Sequence, residues 1–199
     1  MPQMEERVRQ LFGESIEAKI SVADSVASGI ADAGSRLVQC LLNDGRIFVC
    51  GGGVSAFAAQ YFASLLVNRF ESERPPLPVI SLCSDYGILS AFTGDGHADQ
   101  VFARSLQALG QPSDVLLALS TSASADAVLN AMTAASARGM DTILLTGRDG
   151  GLLASHLGPG DIELRIPLDC GPRIREVHLF VLHCFCDVIE QSLFGQLLG

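Results

Sequence analysis

The chain has 199 residues, of which 48% are hydrophobic and 18% charged, and this composition supports one well-buried core but hardly two. Its 13 basic and 22 acidic residues give a net charge of −9, which disfavours direct contact with nucleic acid or with an acidic membrane surface. The amino terminus lacks the apolar core of a signal peptide, and no apolar run approaches the length of a membrane span. We therefore expect a cytoplasmic protein that binds neither nucleic acid nor membrane.

The six cysteines lack both the paired spacing of a zinc site and the density of a disulfide scaffold. Most of them lie inside apolar runs, so we expect reduced thiols in the core. They are Cys40, Cys50, Cys83, Cys170, Cys184 and Cys186.

The first part of the chain alternates helical and strand patterns. Residues 5–42 carry apolar side chains at helical spacing without a proline, which predicts two helices, or one long and one short. The apolar run at 46–50, closed by three glycines, is typical of a strand buried on both faces. A helix is predicted over 55–70, and the prolines at 75 and 76 precede another buried strand at 77–83.

The same alternation continues to the carboxyl end. We predict a strand at 114–120, a helix at 122–138, a strand at 141–146, a half-exposed strand at 161–167 and a long helix at 172–194. Alternating strands and helices imply an α/β fold, a three-layer α-β-α sandwich with a mainly parallel, Rossmann-like five-stranded sheet preceded by amino-terminal helices. We expect one domain over residues 1–199, with a helical segment at 1–43 and the α/β core with its carboxyl-terminal helix at 44–199.

Ligands in such sheets bind beyond the carboxyl ends of the strands, which here are followed by predicted loops at 50–55, 83–95 and 120–125. Two of these loops are suited to an anion. Gly52 and Gly53 allow a sharp turn with exposed backbone N–H groups, and Ser55 follows at the start of a helix. The other loop carries the hydroxyl groups of Ser120, Thr121 and Ser122.

Either loop alone is explained by ordinary turn and capping chemistry, but two at successive crossovers of one sheet favour a phosphate site. Neither loop contains the Gly-Lys-Ser/Thr ending of a P-loop, and Ala56 occupies the place of the third glycine of the dinucleotide fingerprint. ATP and NAD are therefore disfavoured as ligands.

Four segments, CGGGVSA at 50–56, STS at 120–122, LTGRDGG at 145–151 and RIREVH at 173–178, resemble a known family. The chain is similar over essentially its whole length to the sugar isomerase (SIS) domain, in the branch of the phosphoheptose isomerases. That branch also contains the DiaA-type proteins, which bind the replication initiator DnaA and are not regarded as isomerases. The resemblance implies a homotetramer with a phosphosugar-binding site.

The isomerases of this branch convert sedoheptulose 7-phosphate into an aldose phosphate with a glutamate and a histidine, and some members hold zinc. The resemblance places Leu65 at the glutamate, Tyr61 at a histidine and Arg175 at a glutamine that helps to hold the metal; only His183 matches. Leucine cannot take up a proton, and arginine repels a divalent cation. We therefore expect no enzymatic activity and no cofactor. His183 would be catalytic, and zinc required, only in the alternative of a phosphoheptose isomerase.

Other residues complete the predicted sites. Asp95 and Arg69 match positions near the substrate of the family, although a solvated surface loop explains Asp95 equally well. We expect His178, among apolar neighbours, to be a core histidine without catalytic role. Leu193 and Phe194 match a pair implicated in DnaA binding by DiaA-type proteins, although such a terminal pair more often packs on its own domain.

The function favoured by these residues is a DiaA-like, non-catalytic, homotetrameric scaffold that binds DnaA and retains a phosphosugar pocket. The alternatives are a phosphoheptose isomerase with an unusual site and a phosphosugar sensor that acts on another partner.

Overall fold

The computed structural model of the chain describes residues 2–121 and 125–195. At its centre is a parallel five-stranded sheet in the order β2-β1-β3-β4-β5. The strands are β1 (Ile47–Gly51), β2 (Val79–Ser81), β3 (Val115–Leu119), β4 (Asp141–Gly147) and β5 (Ile162–Ile166). The helices are α1 (Pro2–Leu42), α2 (Ser55–Val67), α3 (Tyr86–Gly94), α4 (Val101–Leu109), α5 (Asp126–Ala137), α6 (Gly151–Ala154) and α7 (Gly171–Phe194). The predicted α/β fold with a five-stranded parallel sheet is confirmed.

The amino-terminal segment is a single helix of 41 residues, so the prediction of two helices is wrong. α1 packs along α7 and across β5. Gly29 does not break the helix but permits this close approach, because a Cβ atom there would lie 2.7 Å from Cδ2 of Leu164. Helical spacing without proline indicated the helix correctly, and its buried residues, from Ala18 onwards, pack against the core.

The sheet has its topological switch between β1 and β3. These two strands are buried along their whole length, as their unbroken apolar sequences predict, and Gly51 pairs with Leu119 at their carboxyl ends. The chain leaves β1 towards β2 on one side and β3 towards β4 on the other. The loops that follow β1 and β3 therefore diverge from one point, where ligands bind in sheets of this kind.

Residues between β2 and β3 are more helical than the sequence pattern predicts. β2 has only three residues, and Pro78, which lacks a backbone N–H group, precedes it. The loop predicted at 83–95 contains α3, which begins after Asp85; the Oδ1 atom of Asp85 accepts a hydrogen bond from the backbone N–H of Ile88 at 2.9 Å. This N-cap is a signal that could have located the helix.

α7 is the one helix within the described ranges whose length and composition would allow it to cross a membrane, whereas no apolar run of that length was expected from the sequence. In the fold, 44% of its most apolar stretch is buried, and Ile174, Val181 and Phe185 lie in the core. The apolar composition of α7 is therefore explained by its position as a core helix.

The cysteines are free thiols, and four of the six are buried. Cys184 is half-buried, whereas Cys170 is exposed just before α7, so the prediction of core thiols is wrong for Cys170. Burial raises the pKa of Cys186 to about 12, with a further contribution from the nearby carboxylate of Glu190, so this thiol stays protonated.

Candidate functional site

The structure brings the two predicted phosphate loops together at the switch between β1 and β3. The backbone N–H of Gly52 donates a hydrogen bond to the carbonyl oxygen of Leu119 at 3.0 Å. A Cβ atom on Gly52 would lie 3.7 Å from the hydroxyl oxygen of Ser120 and 3.2 Å from the Cβ of Ala125. The absence of a side chain at Gly52 therefore lets the loop after β1 approach the loop after β3.

The loop after β1 is a tight turn that leads directly into α2. The N–H of Ser55 donates to the carbonyl of Gly52 at 3.1 Å, and the N–H of Ala56 donates to that of Gly53 at 3.2 Å. A Cβ atom on Gly51 would lie 2.4 Å from the carbonyl oxygen of Ser55, so only glycine fits there. Part of the glycine pattern thus serves the turn itself, and the N–H groups of Gly52 and Ser55 are used within the fold.

The groups of this edge that can bind a phosphate are the hydroxyls of Ser55, Ser120 and Thr121, because the first N–H groups of α2 already donate within the turn. Ser55 is buried at the amino end of this 13-residue helix, which carries a partial positive charge. Ser120 is also buried, and Thr121 is half-buried. Ser122 lies outside the described residues.

His183 lies on α7 in contact with α2. Its Nε2 atom is 3.1 Å from the hydroxyl oxygen of Tyr61, and the ring of Phe70 stacks against it with 5.6 Å between the ring centroids. Tyr61 is 40% exposed and follows Ser55 by six residues, which is about 9 Å along the helix. No sequence pattern indicates the contact between Tyr61 and His183, because the two residues are 122 positions apart.

The residues at the glutamate and glutamine positions of the family do not form a metal site. Leu65 is half-buried and packs against the core, and Arg175 lies in the first turns of α7. Within residues 2–121 and 125–195 there is no group of three or more His, Cys, Asp or Glu side chains that could hold a metal ion. Zinc in proteins takes three or four nitrogen, sulfur or oxygen ligands, so the residues present do not fit it.

His178 lies in the core, as predicted. It is buried, and its Nε2–H donates to the carbonyl oxygen of Thr146 at 2.9 Å. Burial lowers the pKa of His178 from 6.5 to about 4, because the charged imidazolium is poorly solvated there. His178 is therefore neutral at physiological pH.

Asp95 and Arg69 lie on the surface and make local contacts. The backbone N–H of Asp95 ends α3 with a hydrogen bond to Ala91 at 3.0 Å, and the guanidinium of Arg69 forms an ion pair with Glu73. The contribution of both residues to a phosphosugar site stays a prediction.

Leu193 and Phe194 pack on their own domain. Leu193 lies half-buried against the core, and the guanidinium carbon of Arg74 lies 6.0 Å from the ring centroid of Phe194. The pair closes the end of α7 against the body of the protein.

The fold and these loops define a doubly wound α/β protein with a candidate ligand site at its topological switch. The SIS domain profile matches residues 12–147, and the chain belongs to the SIS domain family. Relatives named phosphoheptose isomerase, from Shewanella sp. (strain ANA-3) and from Shewanella oneidensis, are 47% identical to it over 193 residues. These alignments cover 97% of this chain and 98% of each relative.

Two solved structures agree with these relatives. A phosphoheptose isomerase from Francisella tularensis superposes with a TM-score of 0.90 at 40% identity, covering 94% of this chain and 98% of that chain. The phosphoheptose isomerase from Neisseria gonorrhoeae has a TM-score of 0.88 at 38% identity, with coverage of 94% and 99%.

These similarities correct the predicted function. The prediction of a non-catalytic, DiaA-like scaffold that binds DnaA is wrong, because the full-length relatives and the solved structures are named phosphoheptose isomerase. That prediction rested on the glutamate, histidine and glutamine side chains that Leu65, Tyr61 and Arg175 replace. It did not consider the contact between Tyr61 and His183 that the fold creates.

Proposed function

We propose that the chain is a sugar-phosphate isomerase of the phosphoheptose type, which interconverts a ketose phosphate and an aldose phosphate. The observation that carries the proposal is the 47% identity, over nearly the full length of both chains, to proteins named phosphoheptose isomerase. The contact between Tyr61 and His183 supports it, because this pair supplies groups for proton transfer.

The phosphate of the substrate binds at the edge formed by Ser55, Ser120 and Thr121, where hydroxyl groups meet the amino end of α2. Tyr61 lies further along the same helix, with its Cα about 9 Å from that of Ser55 along the helix axis. The reacting carbonyl is thus several carbons away from the phosphate, which favours a long sugar over a triose.

In the proposed reaction, His183 removes a proton from the carbon next to the ketose carbonyl and returns it to the former carbonyl carbon. The Tyr61 hydroxyl donates a proton to the carbonyl oxygen and recovers one from the neighbouring hydroxyl group. A neutral imidazole has one accepting and one donating nitrogen, so the pair both takes up and returns protons. These proton transfers conserve every atom of the substrate, and the scheme uses neither a metal nor a co-reactant.

The proposal is tested by following sedoheptulose 7-phosphate by NMR with purified protein. We expect turnover that falls by about 10²- to 10⁴-fold in His183→Asn and in Tyr61→Phe. The matched control is His156→Asn, at an exposed position outside the predicted ligand loops, which retains activity. Binding of the sugar phosphate without turnover by the parent protein would contradict the isomerase, and full activity of both site variants would contradict the assigned pair.

We also propose that the chain forms a homotetramer in the cytoplasm, where sugar phosphates occur. The first half of α1 exposes an apolar stripe at a spacing of four residues, which places its members along one side of the helix. The stripe consists of Met4, Val8, Phe12, Ile16 and Ile20. Light scattering of the parent protein and of Phe12→Asp tests this: we expect a tetramer and a smaller species respectively, and a monomeric parent protein would contradict it.

A further inference from the structure

A buried ion pair lies close to the contact between Tyr61 and His183. The Nε of Arg74 is 2.8 Å from Oε1 of Glu190, and only 2% and 8% of the two side chains are exposed. The desolvation of two charges offsets much of their attraction, so a buried pair of this kind is weak evidence of a role in stability alone. The groups that the pair holds indicate another role.

Arg74 holds the end of α2. Its Nη1 and Nη2 atoms donate to the carbonyl oxygens of Leu66 and Leu65, both at 2.8 Å, in the last turn of that helix. Carbonyls in a last turn have no partner within the helix, and a cation is favoured at this negative end. The same turn follows directly on Tyr61, so Arg74 fixes the helix segment that carries the Tyr61 side chain.

Glu190 holds the other side of the site. Its Oε1 atom also accepts a hydrogen bond from the backbone N–H of Phe70 at 3.2 Å, and the ring of Phe70 stacks on His183. Glu190 follows His183 by seven residues on α7, which places both side chains on the same face of the helix two turns apart. Phe70 is thus anchored by Glu190 and in turn covers His183.

We propose that Arg74 and Glu190 are positioning residues that hold the end of α2 and Phe70 around the Tyr61–His183 contact. The effect of this positioning on catalysis rests on the proposed isomerase function, whereas the positioning of Phe70 and of the end of α2 does not. The pair carries no proton in the reaction, because Arg74 stays charged and neither group contacts the reacting atoms.

The test combines kinetics with the NMR signals of the His183 ring protons, which are sensitive to the Phe70 and Tyr61 rings. The variants are Glu190→Gln, which keeps the shape but removes the charge, and Arg74→Lys, which keeps the charge but loses the planar donors. The matched control is Asp114→Asn, which disrupts the ion pair of Arg46 and Asp114, 2.9 Å apart at the amino ends of β1 and β3.

We expect both site variants to shift the His183 signals and to lower kcat by roughly ten- to a hundredfold with little change in KM. Asp114→Asn lowers stability but leaves the His183 signals and kcat unchanged. Unshifted His183 signals in a folded Glu190→Gln or Arg74→Lys protein would overturn the proposal, as would equal shifts in Asp114→Asn. If the parent protein shows no turnover, the isomerase function fails, and the NMR signals still decide the positioning role.

Discussion

The buried, neutral state of His178 makes the stability of the fold depend on pH. In the unfolded chain its imidazole has a pKa near 6.5, whereas burial lowers the pKa in the folded protein to about 4. Above pH 6.5 neither state binds a proton, and stability is at its full value. As the pH falls from 6.5 to 4, only the unfolded chain binds the proton, so the free energy of unfolding decreases; below pH 4 both states bind it and the loss ends.

The size of the effect follows from the difference between the two pKa values. Each unit corresponds to about 1.4 kcal/mol, so the full loss between pH 6.5 and 4 is about 3 kcal/mol, of which about 2 kcal/mol is reached at pH 5. Domains of this kind have a stability of about 5–15 kcal/mol, so this loss is readily measured. Burial raises the pKa values of Glu163 and Glu176, but hydrogen bonds and neighbouring cations lower them by a larger amount. The net pKa of each carboxyl therefore lies below its ordinary value, so both groups titrate at lower pH than the unfolded His178 imidazole.

The assay is urea unfolding followed by circular dichroism at pH 7.5 and at pH 5. We expect the parent protein to lose about 2 kcal/mol more between these pH values than His178→Gln, because glutamine does not titrate but can still donate to Thr146. The exposed His156→Gln variant serves as the control and behaves like the parent protein. Identical pH dependence of the parent protein and His178→Gln would refute the lowered pKa of His178.

Three further predictions concern the loops and the cysteines. Ser120→Ala is expected to weaken sugar-phosphate binding about tenfold in calorimetry, through the loss of one hydrogen bond; unchanged affinity would remove Ser120 from the site. Gly51→Ala is expected to destabilise the protein by several kcal/mol in thermal unfolding, because its Cβ meets backbone at 2.4 Å, whereas Gly94→Ala, with open space around it, changes little. In a thiol-reagent assay Cys170 should react fastest, and Cys170→Ser should abolish this phase, whereas burial raises the pKa of Cys50 and keeps it unreactive.

The parts of the fold that the sequence predicts well depend on local patterns. Unbroken apolar runs closed by glycine or serine correctly indicated β1 and β3, because a strand buried on both faces needs apolar side chains at every position. The alternation of strands and helices likewise indicated a parallel sheet, but it did not fix the order of its strands. The sequence placed Gly52 and Ser120 at the same end of one sheet, whereas their direct contact depends on the pairing of β1 with β3, which the structure shows.

The parts that the sequence did not predict depend on contacts between distant residues. The Tyr61–His183 contact joins positions 122 apart, and the Arg74–Glu190 pair joins positions 116 apart; no periodicity or motif connects either pair. The prediction of a non-catalytic protein had the same origin. It rested on the identity of single residues such as Leu65, whereas proton transfer depends on which side chains the fold places next to each other.

The positions at which this chain departs from the isomerase pattern share one structural property. All three lie on helices rather than on the buried strands. Tyr61 is exposed, and Leu65 and Arg175 are half-buried. An exchange at the exposed Tyr61 costs little stability, and the half-buried Leu65 and Arg175 tolerate exchange better than a core residue, whereas the turn at Gly51 admits no side chain. The chemistry of this scaffold can therefore change one side chain at a time while the turn between β1 and α2 stays fixed.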